Sequence, residues 1–146
     1  MKITVDTNVI ISALGWNGPE FKLMDLVFNK KINLVLSTQI LEEFIGIAKS
    51  EKFDFSDEEI DDFSEALINI GKIVFPEENI SRIKEDPQDN RILECALAGN
   101  SKFIISGNSH LLKLKEFEGI KIMNASKFLK EYAPRSEPDA GGRRGH

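Results

Sequence analysis

Apolar residues recur along this chain in two alternating rhythms, short runs with strand character and longer stretches at helical spacing. Lys2-Ile-Thr-Val5 alternates and stops at Asp6, which predicts a short buried strand. Val9 to Leu14 opens a helical stretch that Gly15, Gly18 and Pro19 interrupt; Phe21, Met24, Val27 and Phe28 then recur at helical spacing. Ile32 to Leu36 predicts a second strand. Ser37 or Thr38 can cap the helix that follows, whose apolar positions are Ile40, Leu41, Phe44, Ile45 and Ala48. Ser56 followed by Glu59 fits a capping box and opens an acidic helix with Ile60, Phe63, Leu67 and Ile70 on its inner face. Lys72 to Phe75, closed by Pro76, reads as a third, short strand.

The sharpest boundary lies at Asp86-Pro87. Asp is a good N-cap and Pro is favoured at the first helical position, so a helix is predicted from there to Gly99. Phe103 to Ile105 is the fourth strand, Ser109 to Leu114 a short helix, Ile120 to Ile122 the fifth strand and Ser126 to Tyr132 a closing helix. Beyond Tyr132 the chain turns to Pro, Gly, Arg and Ser with no large apolar residue. One domain over residues 1–132 and a disordered tail over 133–146 are therefore expected. Strands alternating with helices imply an α/β fold with a parallel sheet covered on both faces. In such a sheet, ligands bind outside the carboxyl ends of the strands.

That rule gives meaning to four polar positions that fall where a strand ends or a helix begins: Asp6, Glu43, Asp89 and Asn108. Asp6 follows strand one, Glu43 lies in the helix after strand two, Asn108 follows strand four, and Asp89 opens the helix that feeds strand four. A pocket of acids without His or Cys suits a hard divalent cation such as Mg²⁺ or Mn²⁺. Each position also has a purely structural explanation. Asp6 and Asn108 are good helix caps. Asp89 sits in a first turn, where an acid meets the helix dipole favourably. Glu43 has Glu42 beside it as the more solvated acid. Yet Glu43 shares a helix face with Ile40 and Ile47, and Asp89 shares one with Ile92, Leu93 and Ala96, so both carboxylates sit at the edge of the core and need a partner there. His110, beside Leu111 and Leu112, reads as a packing or surface residue.

Composition narrows the classes. The 146 residues, 41% hydrophobic and 29% charged, suffice for one domain with a real core. No apolar run approaches a membrane span, and Met1-Lys2-Ile3 leads straight into a strand pattern, so a cytoplasmic protein without membrane association is expected. Cys95 is alone among apolar neighbours, which excludes a disulfide framework and makes it a small core residue. The net charge of −5 is uneven: residues 51–90 carry four basic and thirteen acidic residues, whereas residues 91–133 carry seven basic and four acidic. The balance argues against bulk electrostatic affinity for nucleic acid, but not against a phosphate site whose positive charge comes from a bound cation. A glycine-rich phosphate loop after strand one, which a nucleotide-binding doubly wound domain needs, is replaced here by Asp6-Thr7-Asn8.

Several segments in order resemble a known family: Val5-Asp-Thr-Asn-Val-Ile10, Ser37 to Phe44 with Leu-Glu-Glu-Phe, Asp86-Pro-Gln-Asp-Asn-Arg-Ile-Leu-Glu-Cys-Ala96, Ile105-Ser-Gly-Asn-Ser-His-Leu-Leu112, and Gly119-Ile-Lys-Ile-Met123 with Ser126-Lys-Phe-Leu129. The chain resembles a PIN (PilT N-terminus) domain of the small prokaryotic kind that includes VapC-like toxins. The resemblance implies a three-layer α/β/α fold, with a five-stranded parallel sheet of order 3-2-1-4-5. It also implies RNA hydrolysis with Mg²⁺ or Mn²⁺, leaving 5′-phosphate and 3′-hydroxyl ends.

By position it makes Asp6, Glu43 and Asp89 the metal-binding acids, with Asn8, Asp86 and Ser106 around them. A small antitoxin partner and a homodimer or higher oligomer follow from the same likeness. The departure is Asn108, where the family pattern has Asp: an amide oxygen can ligate but brings no charge, so one tightly held ion is expected where two are possible. Arg91, Lys102 and Lys113 are candidates for guiding the RNA, or ordinary surface charge. The rival reading is a catalytically weakened module that binds RNA or protein.

Overall fold

The computed structural model describes residues 1–134; the tail expected over 133–146 lies from residue 135 onward outside the described residues. The elements are β1 (Lys2–Val5), α1 (Thr7–Gly15), α2 (Pro19–Phe28), β2 (Asn33–Ser37), α3 (Thr38–Ala48), α4 (Asp57–Ile70), β3 (Lys72–Val74), a one-turn 3₁₀ helix (Pro87–Asp89), α5 (Asn90–Ala98), β4 (Phe103–Ile105), α6 (Ser109–Leu114), β5 (Glu116–Phe117), β6 (Ile120–Met123) and α7 (Ala125–Glu131). They build one sheet in the order β3-β2-β1-β4-β6-β5. The first five strands in that order are parallel, and their sequence of neighbours is the expected 3-2-1-4-5.

The sixth strand corrects the expected count of five. Glu116–Phe117 pairs antiparallel with Ile120 and Lys121. The connecting turn has positive φ at Glu118 (51°) and Gly119 (83°), the geometry that folds a two-residue hairpin. A strand of two residues has no room to express alternation, so periodicity could not reveal it. The helix expected from Asp86 also begins differently. Asp86 does cap the turn, accepting from the Gln88 N–H at 3.3 Å, but Pro87–Asp89 is wound as 3₁₀ and α5 proper starts at Asn90. Asn90 explains the tightening. Its side chain donates to the carbonyls of Ile83 (2.7 Å) and Pro87 (3.2 Å) and accepts from Ile83 N–H (2.8 Å), drawing the preceding loop onto the helix start.

The caps read from sequence are otherwise in place. Ser37 accepts from Ile40 N–H, Ser56 and Glu59 form a reciprocal box, and Asn108 caps α6. The core is continuous from Ile3 and Val5 on β1 through Leu34 and Leu36 on β2 to Ile104 and Ile105 on β4. Cys95 is buried within it, and burial pushes its thiol up to about 11, which suits an inert packing residue. Phe103 holds the closing helix through edge and tilted contacts with Phe128 (5.2 Å) and Tyr132 (4.8 Å).

Helix α5 lies across β1, β2 and β4, and its end approaches β2 closely enough to demand glycine. A Cβ on Gly99 would stand 2.2 Å from Val35 Cγ1 and 3.0 Å from Cγ2. Gly99→Ala should cost about 1–3 kcal/mol by overpacking. Denaturant melts of Gly99→Ala, Val35→Ala and the double variant check this: the double should be less destabilised than the sum of the singles, because Val35→Ala removes the methyls that the new Cβ would strike. Strict additivity would refute the contact.

Candidate active site

The carboxyl ends of β1, β2 and β4 set the site. The Asp6 backbone N–H continues the ladder to Ile105 O (3.0 Å), and its side chain then turns out of the sheet end. One Asp6 oxygen caps α1 through Val9 N–H at 3.0 Å, and the other accepts a short hydrogen bond from the Ser106 hydroxyl. Ser106 Oγ in turn accepts from Asn108 N–H at 2.9 Å, so the turn after β4 is wired to the end of β1. Glu43, on the α3 face with Ile40 and Ile47, accepts a 2.6 Å hydrogen bond from the Thr7 hydroxyl. Asp89 comes from the 3₁₀ turn and faces Asn108 Nδ2, which donates to it at 3.3 Å.

Asp6, Asn8, Glu43, Asp86, Asp89 and Asn108 thus line one cleft of about 220 Å³, together with Thr7, Ile47, Gln88 and Ile92. Among the described residues, four carboxylates and no Lys or Arg line the cleft. Asp6 is only 5% exposed, and burial raises its carboxyl above the ordinary range against the lowering pull of Ser106 and the Val9 and Asn8 amides. Asp89 is raised as well, first by burial and then by the neighbouring Asp86 charge.

The structural explanations offered for these acids now separate. Asp6 and Asn108 are true caps, Asn108 Oδ1 accepting from His110 N–H at 2.7 Å. Asp89 is not: it makes no side-chain cap bond to α5, and its buried Oδ2 faces His110 Nδ1 at 3.5 Å. A buried carboxylate among other acids fits a hard cation, since oxygen donors of negative charge are what such ions take. Among the described residues, no three His, Cys, Asp or Glu side chains stand close enough together to hold a metal as they lie. The Thr7 and Ser106 hydroxyls engage Glu43 and Asp6.

Several expectations need correction. Lys102 does not reach the cleft: its N–H bonds Lys2 O (2.8 Å) at the opening ends of β4 and β1, whereas the site lies at their far ends. Arg91 does border the neighbouring hollow with Glu43 and Gln88, but its guanidinium is committed to Glu94 (2.8 Å) and Ile80 O (3.4 Å). Lys113 is exposed on α6. His110 is more than a surface residue, because its Nδ1 lies 3.5 Å from Asp89 Oδ2.

Sequence reading missed Glu94 altogether. Buried at 5% exposure, it accepts from Ile80 N–H at 2.8 Å and, with Asn90, pins the long loop leading to Asp86 and Asp89. Its only signal was a lone acid on the inner face of an apolar helix. Thr7, one residue from Asp6, was equally overlooked.

A mostly parallel sheet flanked by helices, with an acid-lined cleft at its carboxyl edge, defines the class of this protein. The model of the PIN domain family matches residues 2–110, and the chain belongs to that family. It is 33% identical over 130 residues to an uncharacterized protein of Methanocaldococcus jannaschii, covering 85% of this chain and 82% of the relative. Its fold is similar to that in the crystal structure of VapBC2 from Rickettsia felis bound to a promoter DNA fragment. That match has a TM-score of 0.56 and 16% identity, covering 85% of this chain and 98% of the other.

Proposed function

We propose that this PIN domain protein is a metal-dependent endoribonuclease, the toxin of a toxin–antitoxin pair, acting in the cytoplasm as a homodimer or higher oligomer and restrained by a small antitoxin. The observation that carries the reading is a cleft lined, among the described residues, by four carboxylates and no Lys or Arg. Asp6, Asp89 and Glu43 would hold a Mg²⁺ or Mn²⁺ ion. When bound, that ion activates a water and neutralises charge growing on the scissile phosphate.

The chain's own residues supply the positioning. Ser106 fixes the rotamer of Asp6, and Asn108 N–H fixes Ser106. Outer groups of this kind change metal affinity or activity by about 10–100-fold when lost. His110 lies beside Asp89 and counters the burial and neighbouring charge that raise it. The Asn108 amide oxygen is taken by His110 N–H and its NH₂ faces Asp89, so it offers the cleft a donor where an acid would offer charge. This favours one ion over two. It also favours the rival reading, a weakened module that binds RNA or protein, as does the lack, among the described residues, of three acids placed together for a metal. The three remaining acids weigh against that rival.

Purified protein incubated with single-stranded RNA is expected to cleave it with Mn²⁺ or Mg²⁺ and to stop on chelation. Asn108→Asp should raise activity about tenfold by strengthening metal binding. RNA that is bound but left uncut under both cations would replace the nuclease by the binding module.

A further inference from the structure

A second hollow lies on the far side of α6 from the acidic cleft. It measures about 520 Å³ and is lined by Lys115, Lys121 and Lys127, with Tyr132, Asn124 and the single acid Glu116. The three lysines are exposed, and none forms an ion pair among the described residues. Much of the positive excess of residues 91–133 is therefore gathered in one concave place, and not spread as ordinary surface charge.

Its members are held. Lys121 Nζ sits 5.3 Å from the Tyr132 ring centroid and 3.4 Å from the phenol oxygen. Lys115 ends α6 at φ 61°, ψ −35°, a costly backbone state for a residue with a side chain, and its carbonyl is locked by Ile122 N–H at 2.9 Å. Asn124 caps α7, fixing the turn from which Lys127 projects through a 2.8 Å bond to its N–H.

The hollow is also tied to the site by backbone hydrogen bonds. Met123 O, at its floor, accepts from Ser106 N–H at 3.0 Å, and Ser106 is the residue that holds Asp6. Asn108 starts α6 at the cleft, and Leu112, whose N–H bonds Asn108 O at 2.9 Å, already lines the hollow. From Asn108 to Lys115 the helix advances by about 10 Å at 1.5 Å per residue. Exposed Lys113 lies on that bridge.

We infer that the Lys115–Lys121–Lys127 groove binds the phosphate backbone of the single-stranded RNA whose scissile phosphate lies in the acidic cleft, on the stretch of strand that has crossed α6. The inference rests on the nuclease reading for its substrate. It answers a difficulty of that reading: a cleft of acids repels a polyanion, and a basic groove one short helix away supplies the missing affinity. Ammonium groups act here as point charges, which suits backbone binding without base choice.

The test measures binding of a fluorescent single-stranded RNA by anisotropy, in EDTA so that nothing is cut, across a salt series. Lys115→Gln/Lys121→Gln/Lys127→Gln should weaken binding at least about tenfold and flatten the log–log salt slope by about 2, and each single change by about 0.7. Lys72→Gln, on β3 at the opposite edge of the sheet, should leave both unchanged. With Mn²⁺ present, the triple variant should show a raised KM and an unaltered kcat.

Unchanged affinity and slope in the triple variant overturn the groove, as does an equal loss from Lys72→Gln. Loss of binding to an acidic peptide with RNA binding intact also overturns it, in favour of a protein partner. Failure of the nuclease reading looks different. The wild-type chain would then cut no RNA under either cation, while the groove variant still lost RNA affinity.

Discussion

Asp6→Asn is expected to lower RNA cleavage about 10²–10³-fold while leaving the metal-free protein at least as stable as the wild type. The loss of rate is the scale on which a single preorganised electrostatic group acts, and Asp6 is the acid most firmly built in. Its backbone is in the sheet ladder, and its carboxylate is oriented by Val9 N–H and Ser106. The stability half of the result follows from burial. An asparagine keeps the acceptor for Val9 and has an NH₂ to offer Ser106 Oγ, so the cap survives, yet it carries no charge to desolvate.

A merely structural Asp6 would leave cleavage intact, since asparagine keeps the cap. Cleavage assays paired with thermal melts in EDTA separate the two. Activity that survives the substitution would remove Asp6 from the chemistry.

Divalent cation is expected to raise the melting temperature, and by more at neutral pH than at mildly acidic pH. Asp6 and Asp89 both hold their protons more tightly in the folded chain than their ordinary value of 3.8. The folded state thus binds more protons than the unfolded state as pH climbs from about 4 through the raised values. In that window metal-free stability falls with rising pH. Above it the two acids are ionised, crowded and destabilising, which is the state a cation relieves.

At an ion concentration one hundred times the dissociation constant, the gain is about 2.7 kcal/mol. For a chain of this size that is a rise of about 5–10 °C. Mg²⁺ and Mn²⁺ titrations followed by circular dichroism read it directly, and Asp6→Asn and Asp89→Asn should each abolish most of it. A melting temperature indifferent to both cations at pH 7 to 8 would count against the metal site.

The two acids divide in how far sequence could expose them. Asp6 was legible as the polar stop of an apolar strand, and Glu43 as an acid on a helix face otherwise turned to the core. The family likeness of Asp6-Thr7-Asn8 and of Asp86 to Ala96 carried the rest, and the family assignment over residues 2–110 agrees with it. What could not be read was the use of each side chain where two uses look alike locally. An Asp in a first turn caps in one protein and ligates in another. Here Asp89 makes no cap bond to α5 and faces His110 instead. Asn108 resolved the other way, as a cap whose oxygen is spent on His110 N–H. His110 itself was misjudged because its acid partner lies 21 positions back along the chain, and the 3.5 Å approach exists only after α5 and β4 have folded.

The sequence by itself determined the alternation of strands and helices, the caps, the parallel sheet and the candidate acids, because these depend on near neighbours and on hydrophobic period. Tertiary structure decided everything that depends on which end of a strand a residue occupies. It sent Lys102 to the far edge from the site, bound Arg91 to Glu94, and folded Lys115, Lys121 and Lys127 into one groove beside the cleft. Charge along a chain is a list of signs. Whether those signs repel a polyanion or guide it is settled by the distances between them, which only packing creates.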